Sequence, residues 1–167
     1  YKYREHFLTK LFMLSKLNQL QKACTLEELR EFHEDNRLLL HCYSQKGWWA
    51  LDKLLKASPP ISLEETAAAY MEQLLNMTAR VARYTSNVKV LLFAADMLAE
   101  QLTPAEKELL TETITKYEKG YIPFGVPLYI IKTYAVQHNL QSILQQSLFH
   151  PFPEELLELR DSGKVRI

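Results

Sequence analysis

The sequence predicts an all-α protein: a single compact helical domain of about seven or eight helices with no repeat period. Three observations carry that prediction. Apolar residues recur at helical spacing over most of the chain. Capping boxes, in which a Ser or Thr side chain and a Glu three residues on satisfy each other's backbone amides, occur at Thr25–Glu28, Ser62–Glu65 and Thr103–Glu106. Strand-like alternation is absent throughout.

Residues 3–23 read as a first helix, with Phe7, Leu11, Leu14 and Leu17 on one face and Leu8 and Phe12 beside it. Thr25 caps a second helix over about 26–44, which turns Leu26, Leu29, Phe32, Leu39, Leu40 and Tyr43 inward. Gly47 ends or bends it, and Trp48–Lys56 forms a short helix packing through Trp48, Leu51, Leu54 and Leu55. SPPIS at 58–62 is a loop, because two consecutive prolines exclude helix. Ser62 then caps a long helix to about Tyr84, through Ala67, Tyr70, Met71, Leu74, Met77 and Val81. A break near Thr85–Asn87 precedes a helix carrying Val88, Leu91, Leu92, Ala95 and Leu98. Thr103, with Pro104 at the first helical position, starts a helix that runs to Tyr117.

Tyr117–Tyr134 (YEKGYIPFGVPLYIIKTY) organises the rest. Gly120 supplies the permissive backbone of a helix C-terminus, and Pro123 and Pro127 keep the chain between them out of a helix interior. A new helix starts near Pro127 and carries Leu128, Ile130, Ile131 and Tyr134 as the most buried-looking segment. Asn139–Ser147 reads as a further helix, and PFP at 151–153 introduces a short terminal one, so that 148–167 forms a docked tail.

With 167 residues, 47% hydrophobic and 24% charged, the chain is long enough for one domain with a real core. No apolar run approaches a membrane span and no signal-peptide pattern opens the chain. Cys24 and Cys42 lack CxxC spacing, which excludes a disulfide framework or a cysteine metal site and fits a reducing cytoplasm. The opening residue is Tyr1 rather than Met, which suggests a domain excised from a longer chain. Net charge is zero, but the first helix carries Lys2, Arg4, Lys10, Lys16 and Lys22 against Glu5. These basic positions scatter around the helix, so a solvated amphipathic helix is the plainer reading than a nucleic-acid footprint.

Enzyme templates are missing: no P-loop, GxGxxG, GxSxG or HExxH occurs, and the histidines show no metal-ligand spacing with an acidic third ligand. No catalytic residue, metal or cofactor is therefore assigned. Cys42 follows His41 directly, but adjacent helical residues diverge by about 100°, so Cys42 reads as a buried thiol rather than a nucleophile. His33, Arg37 and His41, spaced i, i+4, i+8 with Ser44 near the same line, make a donor-rich strip suited to phosphate or carboxylate. On spacing alone, an ordinary exposed face satisfied by Glu34, Asp35 and solvent is the plainer reading. Lys132, the one lysine on an apolar helix, either snorkels to water or is held against a partner. Tyr117, Tyr121, Tyr129, Tyr134, Trp48 and Trp49 offer stacking faces for bases, although Tyr117 and Tyr134 read as core.

The chain resembles the YbgA-like domain, found alone or fused to a thiouracil/thiouridine desulfidase domain. The resemblance rests on Phe32, His33, Arg37 and Ser44, and most firmly on Tyr117, Gly120, Pro123, Pro127, Leu128, Ile131, Lys132 and Tyr134. The tail also fits, with Gln145 or Gln146, Phe149, Pro153 and the Leu159–Arg160 pair. Tyr43 stands where the family usually has His, and Phe93 falls where a second family imidazole lies. The resemblance implies an accessory domain that recruits or positions a thiolated substrate, most plausibly transfer RNA, for an iron–sulfur desulfidase domain. The site it points to comprises His33, Arg37, Ser44, Lys132 and Tyr134, with His41 and Tyr117 secondary. Two alternatives stay open: a stand-alone small-molecule or nucleotide-binding domain or enzyme with a pocket beside residues 117–134, and a protein-interaction domain with no ligand. The binding proposal requires two helices distant in sequence to bring His33, Arg37 and Lys132 around one anion.

Overall fold

The computed structural model describes residues 2–21, 25–57 and 62–156. Among these residues there are nine α-helices and no strand. They are α1 (Lys2–Gln21), α2 (Leu26–Asp35), α3 (Arg37–Tyr43), α4 (Gln45–Leu55), α5 (Leu63–Met77), α6 (Tyr84–Leu98), α7 (Pro104–Glu118), α8 (Gly125–Gln137) and α9 (Gln141–Leu144). Two 3-10 turns follow, at Ser147–Phe149 and Glu154–Leu156. None of these helices is long and apolar enough to cross a membrane. The predicted Pro-Pro loop at 58–61, Lys22, Cys24 and the Leu159–Arg160 pair lie outside the described residues.

Each predicted capping box is formed. The Thr25 amide donates to Glu28 Oε2 at 2.7 Å while the Glu28 amide donates to Thr25 Oγ1 at 3.2 Å. The same reciprocal pair opens α5 at Ser62 and α7 at Thr103. Helix α6 is the centre of the packing, against α3, α7 and α8; α3 in turn meets α4, α4 meets α5, and α5 reaches α1. Leu17, Leu29, Leu40, Leu51, Tyr70, Leu74, Leu91, Leu98 and Ile131 are fully buried where these helices meet.

The expected 26–44 helix is two helices, broken at Asn36. Gln146, arriving from the far end of the chain, serves both stumps: its Nε2 donates to the Glu34 carbonyl at 2.9 Å and its Oε1 accepts the Leu38 amide at 3.0 Å. Ser147 Oγ donates to Asn36 Oδ1 at 2.6 Å beside it. Gly47 does not end a helix; it lies in the first turn of α4, donating its amide to the Ser44 cap at 3.0 Å. Helix α5 stops at Met77, short of Tyr84, and Tyr84 Oη donates instead to the Tyr117 carbonyl at 2.8 Å. The expected helix over 139–147 shrinks to α9 because Gln146 and Ser147 are drawn into the break at Asn36.

Helix α1 is rotated from its expected orientation. Thr9, Met13 and Leu17 face in, while Phe7 and Leu11 are 62% and 49% exposed. Its apolar residues run most of the way round, so periodicity does not select one face. Leu92 on α6 is likewise exposed. On α8, Ile131, Tyr134 and Ala135 are buried, but Tyr129 and Val136 face solvent.

The helix end at Gly120 follows the predicted logic. Gly120 has φ 76°, its amide donates to the Tyr117 carbonyl, and the Tyr121 amide donates to the Lys116 carbonyl, both at 2.9 Å. This double bond pattern is the Schellman motif, which satisfies carbonyls that the helix leaves unpaired. Asn139, φ 53°, closes α8 in the same way, with the Leu140 amide on Ala135 and its own amide on Val136.

Candidate functional site

The bend at Asn36 does not scatter the predicted strip. His33 near the end of α2, with Arg37 and His41 on α3, gathers around Trp48 of α4. His33 stacks on the indole at 4.9 Å between centroids with 18° between planes, and His41 lies tilted on it at 4.9 Å. The Arg37 guanidinium carbon is 5.2 Å from the Trp48 ring and 5.2 Å from the Phe93 ring. This arrangement does not suit an imidazolium. His33 is 1% exposed with Nδ1 at 3.0 Å from Tyr70 Oη, and burial lowers its pKa to about 4. Burial, then the Arg37 charge, also lowers His41. Arg37 keeps a long 3.9 Å approach to Glu34 Oε2. The strip therefore presents one guanidinium beside two neutral rings at neutral pH.

The other predicted residues do not join it. Ser44 caps α4 and borders a surface groove. Tyr134 is buried on α8 and feels Glu106 of the α7 cap. Tyr117 is held at both ends, its carbonyl by Tyr84 and its hydroxyl by Asn87 Nδ2 at 3.2 Å. The charged groups acting on His33 are Asp52, Lys56 and Arg37. Lys132 acts instead on His150.

A cavity of about 510 Å3 opens against the Pro123–Leu128 segment. Pro123, Phe124, Gly125 and Leu128 form one wall, Leu39, Cys42 and Tyr43 of α3 another. Glu5, His6 and Thr9 of α1 and the Leu148–Phe152 tail close it. The lining is mostly apolar with a few polar groups. His6 Nδ1 lies 2.9 Å from Tyr43 Oη. Burial, then Lys10, lowers the His6 pKa, while burial, Lys132 and Lys16 lower that of His150 against the opposing pull of Glu154. Burial pushes the Cys42 thiol up to about 12, so it is protonated and not a nucleophile. Asn87 Oδ1 is buried with no hydrogen-bond partner, while Tyr117 Oη accepts from the amide nitrogen of the same side chain. Asn87 thus brings to the cavity wall a side chain whose buried oxygen has no partner, among a mostly apolar lining that also holds Glu5, His6, Tyr43, His150 and Glu154.

Beside the cavity, sharing Tyr43 and Val81 with it, runs a shallower groove of about 590 Å3. Ser44, Gln45, Lys46, Gln73, Asn76, Arg80, Arg83 and Ser86 supply its polar lining, and among the described residues no carboxylate lines it. Lys46, Arg80 and Arg83 are exposed and make no ion pair with the described residues. The sequence reading passed over Asn87, Arg80 and Arg83. Their only local signal is a polar stretch around a helix break; Asn87 takes its place from Tyr117, and Arg80 and Arg83 come to border one groove with Tyr43.

A family model described as "Protein of unknown function (DUF1722)" matches residues 37–153. The chain belongs to this family. No curated protein and no solved structure matches it. The DUF1722 match takes in Asn87, Tyr117, the Pro123–Leu128 wall and the whole groove, whereas His6 and His33 precede it.

Proposed function

We propose that this DUF1722 domain holds a thiolated uridine of RNA, with transfer RNA as the natural carrier, and positions it for a separate or fused desulfidase domain. The carrying observation is Asn87, whose buried Oδ1 has no partner, on the wall of a largely apolar cavity beside an acid-free basic groove; a small turn of its side chain would bring that oxygen to an occupant. A uracil-type base offers a ring N–H to such an acceptor and a π-face to Phe124 and Phe149. Small-ligand sites typically enclose about 300–1,000 Å3 with a few placed polar groups, a range that includes this cavity. Phosphates of the same strand would lie against Lys46, Arg80 and Arg83, with the side-chain amides and hydroxyls of the groove between them. The YbgA-like resemblance, consistent with DUF1722, supplies the link to thiouridine desulfidation. The sulfur-removing chemistry is assigned to the partner domain, because Cys24 and Cys42 are not spaced to hold a cluster.

Electrophoretic shift of thiouridine-containing transfer RNA at low and moderate salt tests this reading. Binding weakens steeply with salt, Arg80→Ala and Arg83→Ala weaken it further, and Asn87→Leu weakens it without changing the salt slope. No shift at low salt, or a shift indifferent to salt, sinks the proposal. The His6–Tyr43 pair in the same cavity favours one second reading, a small-molecule site. Under that reading free thiouridine competes as effectively as the RNA.

A further inference from the structure

Outside both the cavity and the groove, His33, Glu34 and Asp52 each offer a ligand atom within 4.8 Å of the others. The first two lie at the end of α2 and the third on α4, so sequence spacing alone does not reveal the set. Two carboxylates would not by themselves mark a site. Here the third member is an imidazole 1% exposed, whose Nε2 is buried and meets no partner. Nδ1 is occupied by Tyr70 Oη at 3.0 Å. With Nδ1–H donating to that hydroxyl, Nε2 carries the free lone pair. Metal-binding histidines are oriented by an outer hydrogen bond of this kind.

We infer that His33 Nε2, Glu34 and Asp52 form a site for a divalent transition-metal ion, bracing α2 to α4. One imidazole and two carboxylates suit ions of intermediate softness such as Zn2+, Co2+ or Mn2+ better than soft Cu+. Donor atoms at most 4.8 Å apart close onto one ion through a side-chain rotation of the exposed Glu34. Lys56 Nζ now contacts Asp52 at 2.8 Å, and its side chain is 70% exposed, so it swings into solvent as the ion enters. Arg37, 3.9 Å from Glu34, stays nearby and holds the affinity below that of a closed structural zinc site.

Trp48, stacked on His33, is a built-in reporter. In a Trp49→Phe background it is the single tryptophan of the chain. Chelator-treated protein titrated with Co2+ shows quenching of Trp48 emission that saturates at one equivalent, with a rise in the thermal midpoint. Glu34→Gln and Asp52→Asn each weaken Co2+ binding by about tenfold or more. Glu34 is exposed, so its variant reports even if the buried Asp52 variant fails to fold. Absence of quenching at millimolar Co2+, or quenching unchanged in Glu34→Gln, overturns the site.

Discussion

His33 shows how a residue's type and its chemistry part company. Its spacing from Arg37 and His41 was legible and points to a cationic strip. Its surroundings were not, because Trp48 and Tyr70 reach it from other helices. Burial lowers its pKa from 6.5 to about 4. Between those values the unfolded chain takes up a proton that the folded chain refuses, so stability falls as pH falls through that window. One such group removes about 2 kcal/mol between pH 7 and pH 5. Urea unfolding at the two pH values measures it. His33→Gln, which retains a hydrogen-bonding side chain but does not titrate, shows a smaller acid-side loss than the parent. Asn87 was the harder residue to find: nothing in its neighbourhood of sequence distinguishes it, and its role depends on Tyr117, thirty residues away.

At the scale of elements, what the sequence encodes locally was readable and what it encodes at a distance was not. Capping boxes and Gly120 act within a few residues, and the helix starts and the α7 end that they set lie where the pattern puts them, although the capped helices α2 and α5 stop earlier than periodicity indicates. The break at Asn36 depends on Gln146, over a hundred residues on, and periodicity runs straight across it. Replacing that side chain by an apolar one leaves the buried Leu38 amide unpaired, while the Glu34 carbonyl loses one donor and keeps the Asn36 amide. Gln146→Leu therefore destabilises by about 1–3 kcal/mol in chemical denaturation, the cost of one buried unsatisfied group. The two left-handed helix ends respond in opposite directions. Gly120→Ala meets no atom within 4 Å, so its loss of about 1 kcal/mol comes from the backbone alone. Asn139→Gly relieves the same strain and is stabilising by a few tenths to about 1 kcal/mol in the same assay.

For the whole molecule, the zero net charge conceals a local concentration of cations along one groove. Composition cannot show this, and the basic α1, the obvious charge feature in the sequence, does not line the groove. If Lys46, Arg80 and Arg83 neutralise phosphates of a single strand, each adds about 0.7 to the steepness of the log–log salt dependence. Arg83→Ala should flatten the plot by about that amount, whereas Lys132→Ala, which does not line the groove, should leave it unaltered. Equal slopes for Arg83→Ala and the parent would remove the groove from the binding path.

The cavity takes walls from both extremities of the described chain, Glu5–Thr9 at one end and Leu148–Glu154 at the other. An occupant filling it would fasten first helix to last turn. Ligand protection against proteases should then appear simultaneously at the two ends, and a nick near either one should abolish binding while most of the helical bundle survives.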